Sequence, residues 1–364
     1  MAVRPTAGPV PVSVAAGPEA WASSQELRAR PELEVATSPR HATVLVVAGP
    51  LPDGDREALD RTHDQLPHPR ASVAWDPGTA VGEVVAAVVA ADAELRRRPG
   101  EASEPDRLPD IDPNPWRGQG PHGQGGEGMM GGTPYGRAMA MTDEDRDGLA
   151  LDALTVTLGP FLDPLPGGLR LEATLQGDVL TAAALRHPGL AIPAAGGAAA
   201  ARRGLQWLAH ALHVHGLGGH AARAAALAAE LGRGADGATR ASVEASLARL
   251  CRRLGRTGLW WTLAGQGELE GQGDARRRWE EALDGIAAHL SGQRAGRGAD
   301  PGGGGGGAGR ETGRVDPVDP VDPVDLEALG AALVGRTLDQ AVVTITSLGL
   351  GTLRPVPAAR EARR

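Results

Sequence analysis

The chain has 364 residues, of which 41% are hydrophobic but only 2% aromatic, so any core must be built mainly from Leu, Val and Ala. Its formal net charge of −8 argues against nucleic acid as a partner. A single cysteine, Cys251, excludes an intrachain disulfide and any all-cysteine zinc or iron–sulfur site made by this chain alone.

The first forty residues carry little local signal. Residues 1–40 are rich in Pro, Ala and Ser and are predicted to be disordered. They lack the charged start and uninterrupted apolar core of a signal peptide, and no stretch of the chain reaches the ~18 apolar residues of a membrane span. The sequence therefore predicts a cytoplasmic protein.

A small α/β unit is predicted over residues 41–98. The run ATVLVVAGP (42–50) is continuous and apolar, which is typical of a buried parallel strand. Residues 55–66 have helical spacing, 71–75 predict a second short strand, and 80–98 predict an apolar helix that ends in three arginines. The alternation of strand and helix favours an α/β fold.

The next segment, residues 99–150, is rich in Gly, Pro and Met and contains the only tyrosine, Tyr135. A linker is the simpler interpretation, but the scattered Met and aromatic residues favour a segment that docks on a partner surface. The stretch GGEGMMGGTPYG (125–136) has no GxxxxGK[ST] pattern, which argues against a phosphate-binding loop.

Strands give way to helices in the second half of the chain. An antiparallel β region is predicted over 151–193, with a tight turn at Gly177-Asp178. Helical patterns that end near glycine predict a bundle over 194–296. Residues 297–325 contain PGGGGGGAGR and VDPVDPVDPVD and predict a flexible linker. Residues 326–364 predict one helix, an apolar strand or second helix, and a tail.

The histidines form the one candidate for a metal site in the sequence. His210 and His213 are three residues apart on one predicted helical face, and His215 and His220 follow. No carboxylate lies within this cluster, and neutral histidines on a half-exposed helix are common, so no metal site is predicted. Cys251 is interpreted as a small buried hydrophobe in a helix, and no catalytic constellation is evident from spacing.

One region of the chain resembles the cluster-bearing small subunit of respiratory complex I and its hydrogenase relatives. In that family an apolar strand ends at Thr-Gly and is followed by a helix and the segment Tyr-Asp-Gln-Met-Pro-Glu-Pro-Lys. Here the strand ends at Ala48-Gly49, and HDQLPHPR (63–70) fills the segment. The family continues into a strand and a cluster-ligating cysteine, where this chain has Trp75-Asp76-Pro77-Gly78. The family's paired upstream cysteines also have no counterpart.

A second region resembles the large subunit of complex I, which shares its fold with [NiFe]-hydrogenase large subunits. The stretch GPFLDPLPGGLRL (159–171) is similar, without gaps, to the Gly-Pro-Gln-His-Pro-Ala-Ala-His-Gly-Val-Leu-Arg-Leu loop at the quinone pocket. Gly159, Pro160 and Gly167 are kept, as is the terminal Leu-Arg-Leu, whereas Leu162 and Pro166 stand where the family has histidines.

Together the two resemblances imply a fusion with an α/β plus mostly α fold. A small N-terminal α/β unit would be followed by a short antiparallel sheet that leads into a helical bundle like that of the complex I or hydrogenase large subunit. Because the two subunits face each other in complex I, a fusion would tether parts already meant to pack.

The missing ligands imply that the original site has been lost. No iron–sulfur cluster or nickel would be bound by this chain, and the residues Gly159, Pro160, Phe161, Leu162 and Gly167 would form a vestigial quinone loop. The resemblance therefore implies a degenerate, structural or coupling subunit of a membrane-associated NADH:quinone oxidoreductase-like or hydrogenase-like complex. It would lie peripherally on the inner face of the cell membrane.

The partners implied are membrane subunits of a complex I-like or antiporter-like assembly and an iron–sulfur subunit. Two alternatives stay open. In the first, the chain keeps redox activity by binding quinone in an altered apolar pocket and taking electrons from a partner's cluster. In the second, the chain is a soluble adaptor without redox function.

Overall fold

The computed structural model describes residues 8–76, 78–109, 141–144, 150–186, 196–292 and 325–349. The predicted mixed α/β fold is confirmed, with a parallel sheet and a separate antiparallel sheet. Within the described part of the chain, no helix has the length and apolar character needed to cross a membrane.

The N-terminal unit is a four-stranded parallel sheet with helices. Its strands pair in the order β2-β1-β3-β4, and every neighbouring pair is parallel. The elements in chain order are β1 (Val10–Ala16), α1 (Pro18–Ser24), β2 (Leu33–Val35), β3 (Val44–Ala48), α2 (Arg56–Asp64), β4 (Ala71–Trp75), α3 (Val81–Arg97) and α4 (Pro99–Ala102). A short 3₁₀ helix, Gln25–Ala29, follows α1.

The prediction of disorder over residues 1–40 is wrong for most of that stretch. β1 is a central strand, paired with β2 on one side and β3 on the other, and its Val12 is fully buried. The reason is tertiary: β1 is stabilised by partners that follow it in the chain, and its Pro- and Ser-containing sequence gives no strong local signal. The first seven residues lie outside the described part of the chain.

The antiparallel sheet has the order β5-β6-β7-β8. Its strands are β5 (Met141–Glu144), β6 (Ala150–Leu158), β7 (Arg170–Gln176) and β8 (Val179–Arg186). The predicted turn is present between β7 and β8, where Gly177 adopts a φ of +62° that favours glycine. The predicted docking segment, 99–150, lies mainly outside the described residues, apart from 99–109, the four residues of β5 and the first residue of β6.

The remaining described elements are helices. They are α5 (Gly197–Val214), α6 (Gly218–Arg233), α7 (Gly237–Leu254), α8 (Leu259–Leu263), α9 (Ala275–Ser291), α10 (Leu326–Leu333) and α11 (Leu338–Ser347). Side-chain caps fix several starts: the Asp236 carboxylate accepts the Thr239 N–H, and Thr337 forms a capping box with Gln340. The sequence left open whether a strand or a second helix follows the helix that begins at residue 326, and the structure has a second helix there.

The two parts of the chain share one core. A single hydrophobic cluster runs from the parallel sheet into helices α5 to α9 and includes the fully buried Trp279. A second cluster joins the β7–β8 hairpin to α10 and α11. The loop between β6 and β7 lies beside the parallel sheet, where Phe161 packs against the core cluster that contains Leu45 and Leu66. This loop is the stretch that resembles the quinone loop.

Candidate functional site

The loop between β6 and β7 is shaped by two glycines that allow close approach. Gly159 has a φ of +95°, and a Cβ there would lie 2.1 Å from the Leu169 carbonyl oxygen. A Cβ on Gly167 would lie 2.7 Å from the Trp21 side chain. Larger residues therefore do not fit at either position, and Gly167 brings the loop onto α1. Pro160 follows Gly159 through a cis peptide bond.

The two apolar residues at the loop tip have different surroundings. Phe161 is partly buried and packs against a small core cluster of the α/β unit, which consists of Ala15, Ala42, Leu45 and Leu66. Leu162 is 37% exposed. The only phenylalanine of the chain thus fills a gap beside the parallel sheet, where it contributes to the packing between the loop and that sheet.

Asp163, which the sequence does not single out, is the centre of the loop. Arg28 Nη2 donates to Asp163 Oδ1 at 2.5 Å, and His213 Nε2 lies 2.7 Å from Oδ2. His210 Nε2 donates to the Asp163 carbonyl oxygen at 2.9 Å. We refer to Arg28, Asp163, His210 and His213 as the loop cluster. It connects the 3₁₀ helix of the α/β unit, the loop and α5.

The electrostatics of the loop cluster favour an ionised aspartate and a neutral His210. Burial alone would raise the pKa of Asp163, but the hydrogen bond from His213 and the charge of Arg28 outweigh it and hold that pKa well below its usual range. Burial lowers the pKa of His210 to about 4, against the opposing attraction of Asp163. Neutral His210 with a proton on Nε2 fits its bond to a carbonyl oxygen.

A small cavity adjoins the loop cluster. Its volume is about 60 Å³, and its walls include Ser24, Gln25, Arg28, Phe161 and Asp163. Cavities that hold small-molecule ligands are commonly about 300–1,000 Å³. A space of this size has room for water but is too small for a typical small-molecule ligand.

The histidines considered as metal ligands separate in the structure. His210 and His213 both bond to Asp163, whereas His215 packs edge-on against Trp279 with ring centroids 5.5 Å apart. Nowhere in the described ranges do three or more His, Cys, Asp or Glu side chains form a group that could hold a metal ion.

Two further polar contacts connect the α/β unit with the rest of the chain. Arg170, at the start of β7, pairs with the buried Asp55 and also donates to the Gly54 carbonyl at 3.0 Å. Glu26, which is 3% exposed, accepts from Arg202 Nε at 2.8 Å and from Gln206 Nε2 at 2.6 Å. Charged groups buried this deeply require partners, so both contacts hold the two parts in one arrangement.

The HDQLPHPR segment folds around a buried arginine. Arg70 is 1% exposed, and its Nη1 donates to the carbonyl oxygens of His63 at 3.2 Å and Leu66 at 3.0 Å. The fully buried His63 ring lies between two carboxylates, with Nδ1 2.7 Å from Asp64 and Nε2 3.0 Å from Glu104. Glu104 thereby fastens the chain after α4 to α2.

Comparison of the chain with models of known protein families, with curated proteins and with solved structures found no significant match. Evidence on what the candidate site does therefore comes from its geometry alone. Sequence reasoning identified the loop through its resemblance but missed Asp163 and Arg28, because Arg28 is 135 residues from Asp163 along the chain and His213 is 50 residues from it.

Proposed function

We propose that this protein is a structural or coupling subunit of a membrane-associated oxidoreductase-like complex. In this proposal it descends from a fusion of the small and large subunits of a complex I-like or hydrogenase-like enzyme and has lost the cluster and quinone sites. The carrying observation is the seating of the 159–169 loop on the α/β unit through Arg28 and Asp163. In complex I the two subunits that these stretches resemble also face each other.

The N-terminal sheet supports this proposal. The resembling stretch 43–70 contributes β3 and α2 to an all-parallel sheet with order β2-β1-β3-β4. An open parallel sheet of this kind presents its ligand-binding edge at the carboxyl ends of the strands. Trp75 ends β4 at that edge, where the resembling family carries a cluster ligand.

The contents of the loop support a structural role over a retained quinone site. Phe161 packs into the α/β unit, Asp163 is bonded on three sides, and the adjoining cavity has a volume of only about 60 Å³. Gly159 and Gly167 are explained by close backbone approach, which a loop retained for its packing needs as much as a binding loop does.

The proposal is tested by isolating the tagged protein from its native host in a gentle detergent and identifying what is retained by mass spectrometry. We expect membrane subunits of a respiratory or antiporter-like assembly. Recovery of iron–sulfur proteins with them would place the assembly in electron transfer. Repeated recovery of the protein without any membrane subunit would overturn the proposal.

A matched pair of loop and strand variants separates the structural role from a quinone site. Leu162 in the loop and Leu154 in β6 are similarly exposed, at 37% and 38%. We expect Leu162→Asp and Leu154→Asp to leave the quinone-reductase turnover of the isolated assembly equal to wild type. Loss of turnover in Leu162→Asp alone, with assembly intact, would favour a retained quinone site.

A further inference from the structure

A second, larger cavity lies at the carboxyl edge of the parallel sheet, on the other side of the 3₁₀ helix from the loop cluster. Its volume is about 730 Å³, which is within the range of about 300–1,000 Å³ found for small-molecule sites. We call it the edge cavity. Its walls come from α1, the ends of β3 and β4, the start of α3, and the facing helices α5 and α6.

The position of the edge cavity is one that α/β sheets commonly use for ligands. In the sheet, β2 lies on one side of β1 and β3 lies on the other, so the strand order reverses between β1 and β3. Ligands of open parallel sheets bind outside the carboxyl ends of the strands at such a point. Gly49 and Pro50, directly after β3, and Trp75, at the end of β4, line the cavity.

The first turn of α3 supplies free backbone donors to this cavity. Ala80 caps α3 without a side-chain hydrogen bond. The N–H groups of Val81 and Gly82 have no acceptor among the described residues. Unpaired N–H groups at the start of a helix of 17 residues attract anions through both hydrogen bonding and the helix dipole.

Arg30 is the second, independent donor. Its Nη2 lies 3.4 Å from the position that a Cβ on Gly82 would occupy, so its guanidinium adjoins the first turn of α3. Arg30 is partly buried, and in the described ranges it has neither an ion pair nor a side-chain hydrogen bond. The five N–H donors of the Arg30 guanidinium are therefore available to an anion that enters the cavity.

The other charges on the cavity wall leave this corner positive. Glu26 is already paired with Arg202, a residue of α5 that also lines the cavity. Glu19 and Asp76 are exposed, where water screens them. Glu26 is the one buried carboxylate among the lining residues, and it is already bonded to Arg202 and Gln206 rather than to Arg30.

We propose that the edge cavity binds the phosphate group of a small phosphorylated molecule, held between Arg30 and the first turn of α3. Guanidinium and backbone N–H groups are the usual partners of phosphate oxygens, and the rest of the cavity has room for a group of mononucleotide size. This site does not depend on the proposed function, since none of its residues belongs to the loop cluster.

The proposal is tested by isothermal titration of the whole chain at low ionic strength with inorganic pyrophosphate and with ADP. We expect saturable binding of at least one of these probes to the wild type. Tighter binding of ADP would identify a nucleotide-like ligand, and equal binding would identify the phosphate group alone as the recognised part. Both results support the site.

Substitution of the arginine gives the first test of location. We expect Arg30→Gln to weaken binding about tenfold or more, because it removes charge-assisted hydrogen bonds to phosphate. The control is Arg256→Gln: Arg256 is exposed, does not line the cavity and should leave the affinity unchanged.

A second variant keeps the site testable if Arg30→Gln folds poorly. Gly82→Asp places a carboxylate beside Arg30 in the first turn of α3, where acidic residues stabilise a helix, and should abolish binding by occupying the anion position. Gly82→Ala adds only a methyl group at contact distance and should bind within about threefold of wild type, a small change in free energy.

Absence of saturable binding of both probes to the folded wild type would overturn the proposal. Binding that persists unchanged in both Arg30→Gln and Gly82→Asp would also overturn it, because the anion would then bind elsewhere. Melting curves of each variant, recorded by circular dichroism, show whether a lost affinity reflects the site or the fold.

Discussion

Arg28 and Arg30 lie two residues apart at the end of one short 3₁₀ helix but meet opposite surroundings. Arg28 points to the loop cluster, where its side chain is 7% exposed and is paired with Asp163. Arg30 lines the edge cavity and has no ion-pair partner in the part of the chain that the structure describes. One side of the helix is thus closed by paired charges, and the other keeps a cation available.

The two arginines differ because one side of the 3₁₀ helix packs against other elements, whereas the other side faces a cavity. The loop cluster lies between packed elements, and a buried charge there is tolerated only with its partners in place. The edge cavity is large enough for water or a ligand to solvate Arg30. The comparison therefore predicts that charges on the loop side contribute to stability, whereas the charge on the cavity side contributes to binding.

The largest effect is expected from Asp163→Asn. The substitution leaves Arg28 buried without its carboxylate, and we expect the free energy of unfolding to fall by about 4 kcal/mol, as for other broken buried ion pairs. Urea denaturation measures the change. The control is Glu280→Gln, which removes an exposed pair with Arg276 and should leave the midpoint unchanged. If both variants had the same urea midpoint, Arg28 and Asp163 would not form a buried ion pair that stabilises the fold.

A smaller effect is expected from the titration of His210. Its pKa is about 4 in the folded chain and about 6.5 when unfolded, so the unfolded state binds more protons between these values. Stability should therefore fall as the pH is lowered from 6.5 to 4, by up to about 3 kcal/mol. Asp163, whose pKa is lowered, contributes stability that is lost only below its unfolded pKa of about 3.9.

The pH effect is isolated by comparison with His210→Gln. The glutamine amide does not titrate and can still donate to the Asp163 carbonyl. The difference in unfolding free energy between wild type and variant should narrow as the pH falls from 6.5 to 4, because only the wild type loses stability at this site. A difference that is constant with pH would show that His210 is not buried as a neutral side chain.

The smallest change in stability is expected from Arg30→Gln. Its difference from Arg28→Gln tests directly whether the two arginines have different roles. Arg28→Gln removes an ion pair and should lower the free energy of unfolding by about 2 kcal/mol. Arg30→Gln breaks no ion pair or side-chain hydrogen bond among the described residues and should change the free energy of unfolding by less than about 0.5 kcal/mol. Equal losses in urea denaturation would show that the two arginines have equivalent roles.

The elements with strong local patterns could be predicted from the sequence. The valine-rich run at 42–50 became β3, and the Gly177-Asp178 turn joins β7 to β8. The Ala- and Leu-rich stretches after residue 197 became helices with starts and ends near Gly, Asp and Thr. These signals are local, because side-chain periodicity and turn conformation depend on neighbours in the chain.

β1 and the loop cluster could not be predicted in the same way. β1 depends on two partner strands that follow it, and its own residues suggested disorder. The loop was noticed through Gly159, Pro160 and Gly167, but its central residue, Asp163, has no distinguishing neighbour in the sequence. His210 and His213, two of the four histidines considered as metal ligands, are the partners of Asp163.

The sequence by itself determined the element types, the absence of thiolate ligands beyond Cys251, and the loop geometry that its glycines require. Tertiary structure alone decided which charges are paired. Arg28 and Arg30 are indistinguishable by local pattern, and only the packing of residues more than one hundred positions away gives the first a carboxylate and leaves the second facing a cavity. The physical reason is that burial and pairing of charge depend on which distant segments meet, whereas helix and strand formation depend mainly on neighbouring residues.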